Sequence, residues 1–443
     1  MDERELLELA LTAVEACEAD QAEAFAMEGE RATTRFANNQ IHQNMAERSR
    51  QLSVRAVMGK RIGVATGIVN NAEEAKGVAA RAVELAKVSG ELEDFVSLPG
   101  PTTIAEAPAG AAKDVVECTA ADRGEAVAKA LAIATGRHLV AAGSLATDYS
   151  IIALANSLGV KAARSATNAT FHLVMQGEDS GGYAAAEGKA LADTRVAETA
   201  EKAAEKADMG RHPRAVEAAP MTVVFEPVAA AEMLSFLGFA GFNALAYQEQ
   251  QAFTCDSLHK QVGVEMLDIV DDGLDPRTYV APFDFEGVAK QRVELISKGV
   301  VSGLVYDSYT AGREKPARES TGHAGPAPNT WGPVPWNMIV EPRTGSMEEL
   351  IGQVERGLLV SRIHYLNFVH QRQMILTGMT REGTFLIENG KIVGGVRNLR
   401  FTEHFVESLG RIAAIGGQGE LHGMVWTPPL VIDGFEFTSG TGF

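Results

Sequence analysis

Ten histidines and three cysteines are the side chains of this 443-residue chain best suited to grip a transition metal, and they are scattered. A catalytic zinc ion needs several ligands converging on one point, commonly two imidazoles about a helical turn apart with a carboxylate beside them to activate water. Cys17, Cys118 and Cys255 are far apart and form no CxxC pair, so neither a thiolate zinc site nor a disulfide framework is expected. His364 and His370 are six residues apart, a spacing that puts them on different faces of a regular helix and favours a core or surface role. Cys255 and His259 fall one turn apart if that stretch is helical, but Thr254 to Lys260 reads more like an exposed turn, and two ligands do not make a site. His323 stands apart. Flanked by Gly322 and Gly325 in a Gly- and Pro-rich loop, it either lines a cleft and hydrogen-bonds a peptide or bonds to backbone within a packed loop.

Carboxylates are the next candidates. Asp271-Asp272 and the pair Asp284 and Glu286 have the chemistry for general acid–base work, although solvated turns are the favoured reading. Thr380-Arg381-Glu382-Gly383 reads as a β-turn. Arg381 either grips a ligand carboxylate bidentately or makes an exposed ion pair in a hairpin, and Thr380 beside it is a further groove candidate. Ser235, Ser320 and Cys255 lack a nucleophile elbow. No Walker loop or strand-Gly-x-Gly-x-x-Gly-helix unit is present, so neither ATP nor nicotinamide chemistry is supported.

The elements that must position these groups are legible in outline. An acidic amphipathic helix begins at Glu3, with Leu6, Leu7, Ala10, Val14 and Cys17 on one side. Gln51 to Val57 alternates, turns at Met58-Gly59-Lys60 and returns through Arg61 to Ala65, as a hairpin does. Asn71 can cap the next helix, with Glu74 three residues on, and Gly90 ends it. Helices are expected at Asp122 to Thr135 and Asp193 to Asp208, with several short strands between Leu139 and Ala186. Glu91 to Gly110, with Pro99, Pro101 and Pro108, reads as a linker. Asn38 and Asn156 are separated by the same interval as Gly59 and Gly177. This points to two related helix-plus-sheet units, or to coincidence among common turn residues. Met221 to Phe225 is a strand, and Pro227 opens the helix after it. Many short strands with glycine turns then predict a β-rich barrel or double sheet, interrupted by the long loop from Glu314 to Trp336.

The fold class is therefore α+β: an N-terminal α/β portion of two possibly related units, then a β-rich, barrel-like C-terminal domain. The expected divisions are 1–92, a linker over 93–112, a second α/β unit over 113–215 and the β-rich domain over 216–443. A net charge of −18 argues against nucleic acid as a partner, because phosphate binding needs a basic surface. No apolar run is long enough to span a bilayer, and the acidic start, Met1-Asp-Glu-Arg-Glu, has no hydrophobic signal core, so a cytoplasmic location and no membrane partner are expected.

Four stretches resemble one family. They are Thr34-Arg-Phe-Ala-Asn-Asn-Gln-Ile-His42 with Leu52 to Gly63, Pro282-Phe-Asp-Phe-Glu-Gly-Val288, Ser320-Thr-Gly-His-Ala-Gly325, and Leu376 to Val393 with Leu399-Arg-Phe401 close behind. In this order they resemble the TldD/PmbA family, and within it the PmbA (TldE) branch. The resemblance implies a role in cytoplasmic proteolysis, with peptidases that trim unfolded or leader peptides. In the TldD branch a helix carries His-Glu-x-x-x-His and a distant cysteine completes the zinc site; in the PmbA branch the motif is missing and the subunit pairs with a TldD-like one. Aligned on that motif, Ser235 and Phe236 stand at the His-Glu positions and Ala240 at the second histidine, and no cysteine follows Cys255. Phenylalanine and alanine do not ligate zinc. The expectation is a non-catalytic subunit with no metal or cofactor of its own, whose zinc resides in a TldD-like partner. A self-dimer, or a stand-alone hydrolase or peptide-binding protein on the same scaffold, is the alternative.

Overall fold

The computed structural model describes residues 2–107 and 110–441. Met1 and Pro108, both used in the sequence reading, lie outside the described residues.

The N-terminal half is one antiparallel sheet rather than two separate ones. Its strands are β1 (Gln21–Ala37), β2 (Gln40–Met58), β3 (Arg61–Ile68), β4 (Val140–Asn156), β5 (Lys161–Gln176) and β6 (Gly181–Gly188), in the order β3-β2-β1-β4-β5-β6. The seam is β1 against β4, which pair from Glu23↔Asn156 to Phe36↔Gly143. The region 139–186 thus holds three strands, two of them long, where several short ones were expected. The two three-stranded halves mirror each other across the seam. Asn38 follows β1 and Asn156 ends β4, while Gly59 and Gly177 sit in the turns before β3 and β6.

Four helices cover one face: α1 (Glu3–Glu15), α2 (Ala72–Val88), α3 (Ala120–Gly136) and α4 (Val196–Met209). The expected Asn71 cap forms, and α1 carries a cap the sequence reading did not name. Asp2 caps α1 in a reciprocal box with Glu5, and Asn71 accepts the Glu74 N–H at the start of α2. Two glycines set the closest helix-to-strand approach, one in each half. A Cβ on Gly63 would lie 2.2 Å from the Ala82 carbonyl of α2, and one on Gly182 would lie 2.0 Å from the Ala203 carbonyl of α4. Alanines line these interfaces, Ala75, Ala79, Ala82 and Ala86 in one half and Ala200, Ala203, Ala204 and Ala207 in the other, so the backbones can meet. After α2 the chain is pinned, not loose: Phe95 and Leu98 are buried against Val57.

Among the described residues the C-terminal half holds two open sheets and no closed barrel. One has six strands, from Val300–Val301 at one edge to Glu420–His422 at the other. The other has nine, including β7 (Pro220–Phe225), flanked by Arg356–Val360 and Leu430–Gly440. Helix α5 (Pro227–Gly241) follows β7, with Pro227 in its first turn as expected. Its Ala229, Ala230, Met233, Leu234, Leu237 and Ala240 pack in the main core with Ile269, Met338 and Val340 of the first sheet and Leu358, Phe401 and Ile432 of the second. Hydrophobic burial on nearly every side makes α5 a core helix, and it presents only a narrow polar stripe.

Candidate functional site

That stripe is where the site lies. Val228, Ala231, Glu232 and Ser235 recur at helical spacing along one side of α5. They face the sheet surface opposite the helices, where Thr170 and His172 of β5 stand beside Glu187 and Ala185 of β6. Arg31, Tyr183, His422 and Gly423 complete a cleft of about 450 Å³. Two ties fix its walls. Lys206 of α4 donates to the Tyr183 carbonyl at 3.1 Å and pairs with Glu226, the N-cap residue of α5, at 2.6 Å, while Ser361 donates to the other Glu226 oxygen at 2.8 Å. Glu187 accepts the Gly423 N–H, joining β6 to the C-terminal half.

Polar and apolar side chains share the cleft lining, and its ionisable groups are tuned. Burial pushes Glu232 up to about 7, against the lowering influence of Arg362. Burial also raises Glu187, and burial with Arg362 and Arg35 lowers His172. Arg362 lies over the Tyr183 ring at 4.2 Å and pairs with Glu382. Near neutral pH the walls therefore carry a neutral imidazole at His172 and, at Glu232, a carboxyl close to the midpoint of its titration.

Zinc does not fit here. The Ser235 hydroxyl donates to the Ala231 carbonyl at 2.8 Å, within its own helix. Phe236 packs on Phe368 with ring centroids 4.9 Å apart, and Ala240 is buried in the core. Among the described residues, no group of three His, Cys, Asp or Glu side chains is arranged to hold an ion.

The other sequence candidates fall elsewhere. His323 does not line a cleft: it is fully buried. Its Nε2 lies 2.8 Å from Asp271 Oδ1 and its Nδ1 lies 2.9 Å from the Thr321 hydroxyl. Asp271, read as part of a solvated turn, is also fully buried, taking Lys290 at 3.2 Å and the Asn337 N–H at 2.7 Å. Burial opposes its ionisation, but Lys290, His323 and that N–H outweigh burial and hold the carboxyl well below the usual range. Burial and Lys290 push His323 down, against Asp271 and the Thr321 carbonyl, which lies 2.9 Å from Nδ1. Thr380 is buried, its hydroxyl accepting the Leu399 N–H at 3.1 Å. Arg381 makes the ion pair with Glu382, at 3.0 Å, on the rim of a separate cleft that includes Gly383 and Asn398. His364 and His370 belong to a strand, Ile363–His370, not a helix, and Cys255 sits in a single helical turn, Thr254–Ser257.

The acidic pair Asp284 and Glu286, also read as solvated, is buried at the contact between the halves. Arg55 of β2 bonds Glu23 of β1 at 2.7 Å and Glu286 at 2.9 Å. Burial and Glu286 raise Asp284 to about 8, although it accepts N–H bonds from Ala324, Glu286 and Val288, and the same two causes raise Asp307 to about 6. Sequence reading missed Glu232, Glu187, His172 and His422. Glu187 and His172 gave a signal only after β5 and β6 were in register, whereas Glu232 precedes the substituted motif by three residues on the same helix.

Comparison with known proteins fits this geometry. The PmbA/TldA metallopeptidase C-terminal domain matches residues 218–439, half of the chain, and the PmbA/TldA metallopeptidase domain 1 matches residues 22–86. Metalloprotease PmbA homolog of Haemophilus influenzae is 27% identical over 237 residues, 53% of this chain and 49% of that protein. Metalloprotease PmbA of Escherichia coli O157:H7 is 25% identical over 305 residues, 66% of this chain and 64% of its own length. The aligned part thus spans about half to under two thirds of these relatives. The fold is that of the TldE crystal structure from Thermococcus kodakarensis, with TM-score 0.89 and 19% identity over 97% of this chain and 99% of that one. A Thermotoga maritima protein named as a candidate modulator of DNA gyrase superposes with TM-score 0.83 and 17% identity, over 94% and 96% of the two chains. By its matched domains and its fold, the chain belongs to the TldD/PmbA family.

Proposed function

We propose that this chain is a non-catalytic, TldE-like subunit of a cytoplasmic metallopeptidase complex that degrades or trims unfolded and leader peptides. The observation that carries the reading is the state of the motif helix. Ser235 is bonded within α5, Phe236 is packed on Phe368 and Ala240 is in the core, so all three positions serve packing rather than coordination. A TldD-like partner, or in its absence a second copy of this chain, completes the assembly, and zinc comes with the TldD-like chain. The cleft between α5 and β6 is the peptide-facing surface. Strand addition at a sheet edge holds a chain through its backbone without reading its sequence closely.

A second reading, a zinc-free hydrolase or peptide-binding protein, draws on one observation: Glu232, held near 7, shares the cleft with His172 and His422. Elemental analysis separates the two when paired with peptide-cleavage assays of the chain alone and mixed with a TldD-like chain. The expected result is no stoichiometric zinc, no cleavage alone and cleavage in the mixture. One zinc per chain, or cleavage by the chain alone, overturns the proposal.

A further inference from the structure

A second cavity, of about 470 Å³, lies away from the α5 cleft, against the first five residues of β5. It exists because β6 pairs with β5 only from Ala169 onward. The stretch from Lys161 to Ser165 therefore forms a wall, faced by Ile104, Ala105, Ala107 and Ala111 from the loop before α3 and by Val280, Pro282 and Phe283 from the C-terminal half. Ile104, Val280, Pro282, Phe283 and the alanines make the body of these walls apolar, and Glu3, Lys161, Arg164 and Ser165 are their polar members.

Arg164 projects into this setting. It sits opposite Ile152 of β4, on the sheet face where Ala162 and Phe283 are buried together. Its guanidinium lies 5.8 Å from the Phe283 ring centroid, a cation–π contact. Among the described residues no carboxylate pairs with it, and its Nε is buried without an acceptor. Burial lowers its proton affinity with no opposing anion. Elsewhere at the contact between the halves the pattern is the reverse: Arg55 is held by two carboxylates. A half-buried cation left without an anion is disfavoured, and a planar guanidinium with free N–H groups matches a carboxylate bidentately. Lys161 adds a second positive charge at the exposed rim, and Glu3 is the one acid among the described lining residues.

The geometry points to a binding site for a carboxylate carried on a small apolar body, with Arg164 as the bidentate anchor and Phe283 and the alanine wall holding the body. Two sources share that chemistry, a free short-chain acid and the C-terminus of a peptide. The site stands independently of the peptidase reading, since it shares no residue with the α5 cleft.

Calorimetric titration of the full chain tests it with butyrate, acetyl-Ala-Ala and acetyl-Ala-Ala-amide. The expected result is binding of one or both acids and at least tenfold weaker binding of the amide. Arg164→Gln is expected to weaken the acid at least tenfold, while Arg164→Lys keeps part of the affinity, because it retains the charge and loses the fork. Binding of butyrate alone identifies a free acid, and binding of acetyl-Ala-Ala alone identifies a peptide terminus. Equal affinity for acid and amide, unchanged affinity in Arg164→Gln, or no heat from either acid at millimolar concentration overturns the site. Thermal melting guards the variant. Removing an unpaired cation should leave the melting temperature of Arg164→Gln equal to wild type or higher, and a marked fall would make Arg164 a structural residue and overturn the proposal.

Discussion

The α5 cleft and the node around His323 hold similar side chains under opposite conditions. In the cleft, Glu232, His172 and His422 border open space, and the one hydroxyl on the stripe, Ser235, is bonded back to its own helix. At the node, Asp271, Lys290, His323 and Asn337 close on one another, with Asp271 and His323 fully buried. Ionisable groups that satisfy each other lock a fold together, whereas those left facing a gap are available to a guest. The glycine-flanked histidine has the residue type of a site, but its partners make it a strut.

The sharpest way to break this contrast is Asp271→Ala. It strands Lys290 and removes the partner of His323, so unfolding in urea should show a loss of about 3–5 kcal/mol. A loss under about 1 kcal/mol would put the node in the same class as the exposed ion pairs. Rebuilding the motif as Ser235→His, Phe236→Glu and Ala240→His comes next. Position 240 has no room, so the triple variant should lose about 2 kcal/mol or more and, by elemental analysis, still bind no stoichiometric zinc.

The third test concerns acid at the contact between the halves. Asp307 binds its proton more tightly folded, near 6, than unfolded, near 3.8. Its contribution is therefore full below the unfolded value and is lost as pH rises through about 6. Asp307→Asn keeps a capping side chain at the start of the helix Ser308–Arg313 and removes this loss. Relative to wild type, the variant should gain on the order of 2 kcal/mol between pH 4 and pH 8. A stability difference that does not change with pH would place Asp307 outside the buried acidic group. The smallest effect is expected at Ser235→Ala, within about 0.5 kcal/mol by the same unfolding measurement, since its bond only doubles back on a helix carbonyl.

Local structure was legible because its causes are local. The Asn71 cap, the Gly59 turn and Pro227 each act within a few residues, and each formed where the chemistry required. The equal spacing of the asparagine and glycine pairs anticipated two matching halves. It did not reveal their fusion, because the β1–β4 seam joins residues more than a hundred positions apart and antiparallel pairing leaves no local mark. The same distance hid the burial of Asp271 and Asp284. An acidic pair beside a glycine looks solvated until Lys290 and His323 close on the first and backbone donors from Ala324 and Val288 on the second. The substituted motif was readable, since loss of imidazole is a matter of residue type alone; the cleft beside it depended on how β5 and β6 meet α5.

Lys206, Glu226 and Ser361 draw one more consequence from the fold. The ion pair spans the boundary between α4 and the start of α5, and its two side chains are only 13% and 16% exposed. Prising the halves apart there means separating charges with little water at hand to receive them. The two walls of the cleft are accordingly tied to each other at the foot of α5, and this contact sets the spacing between α4 and that helix.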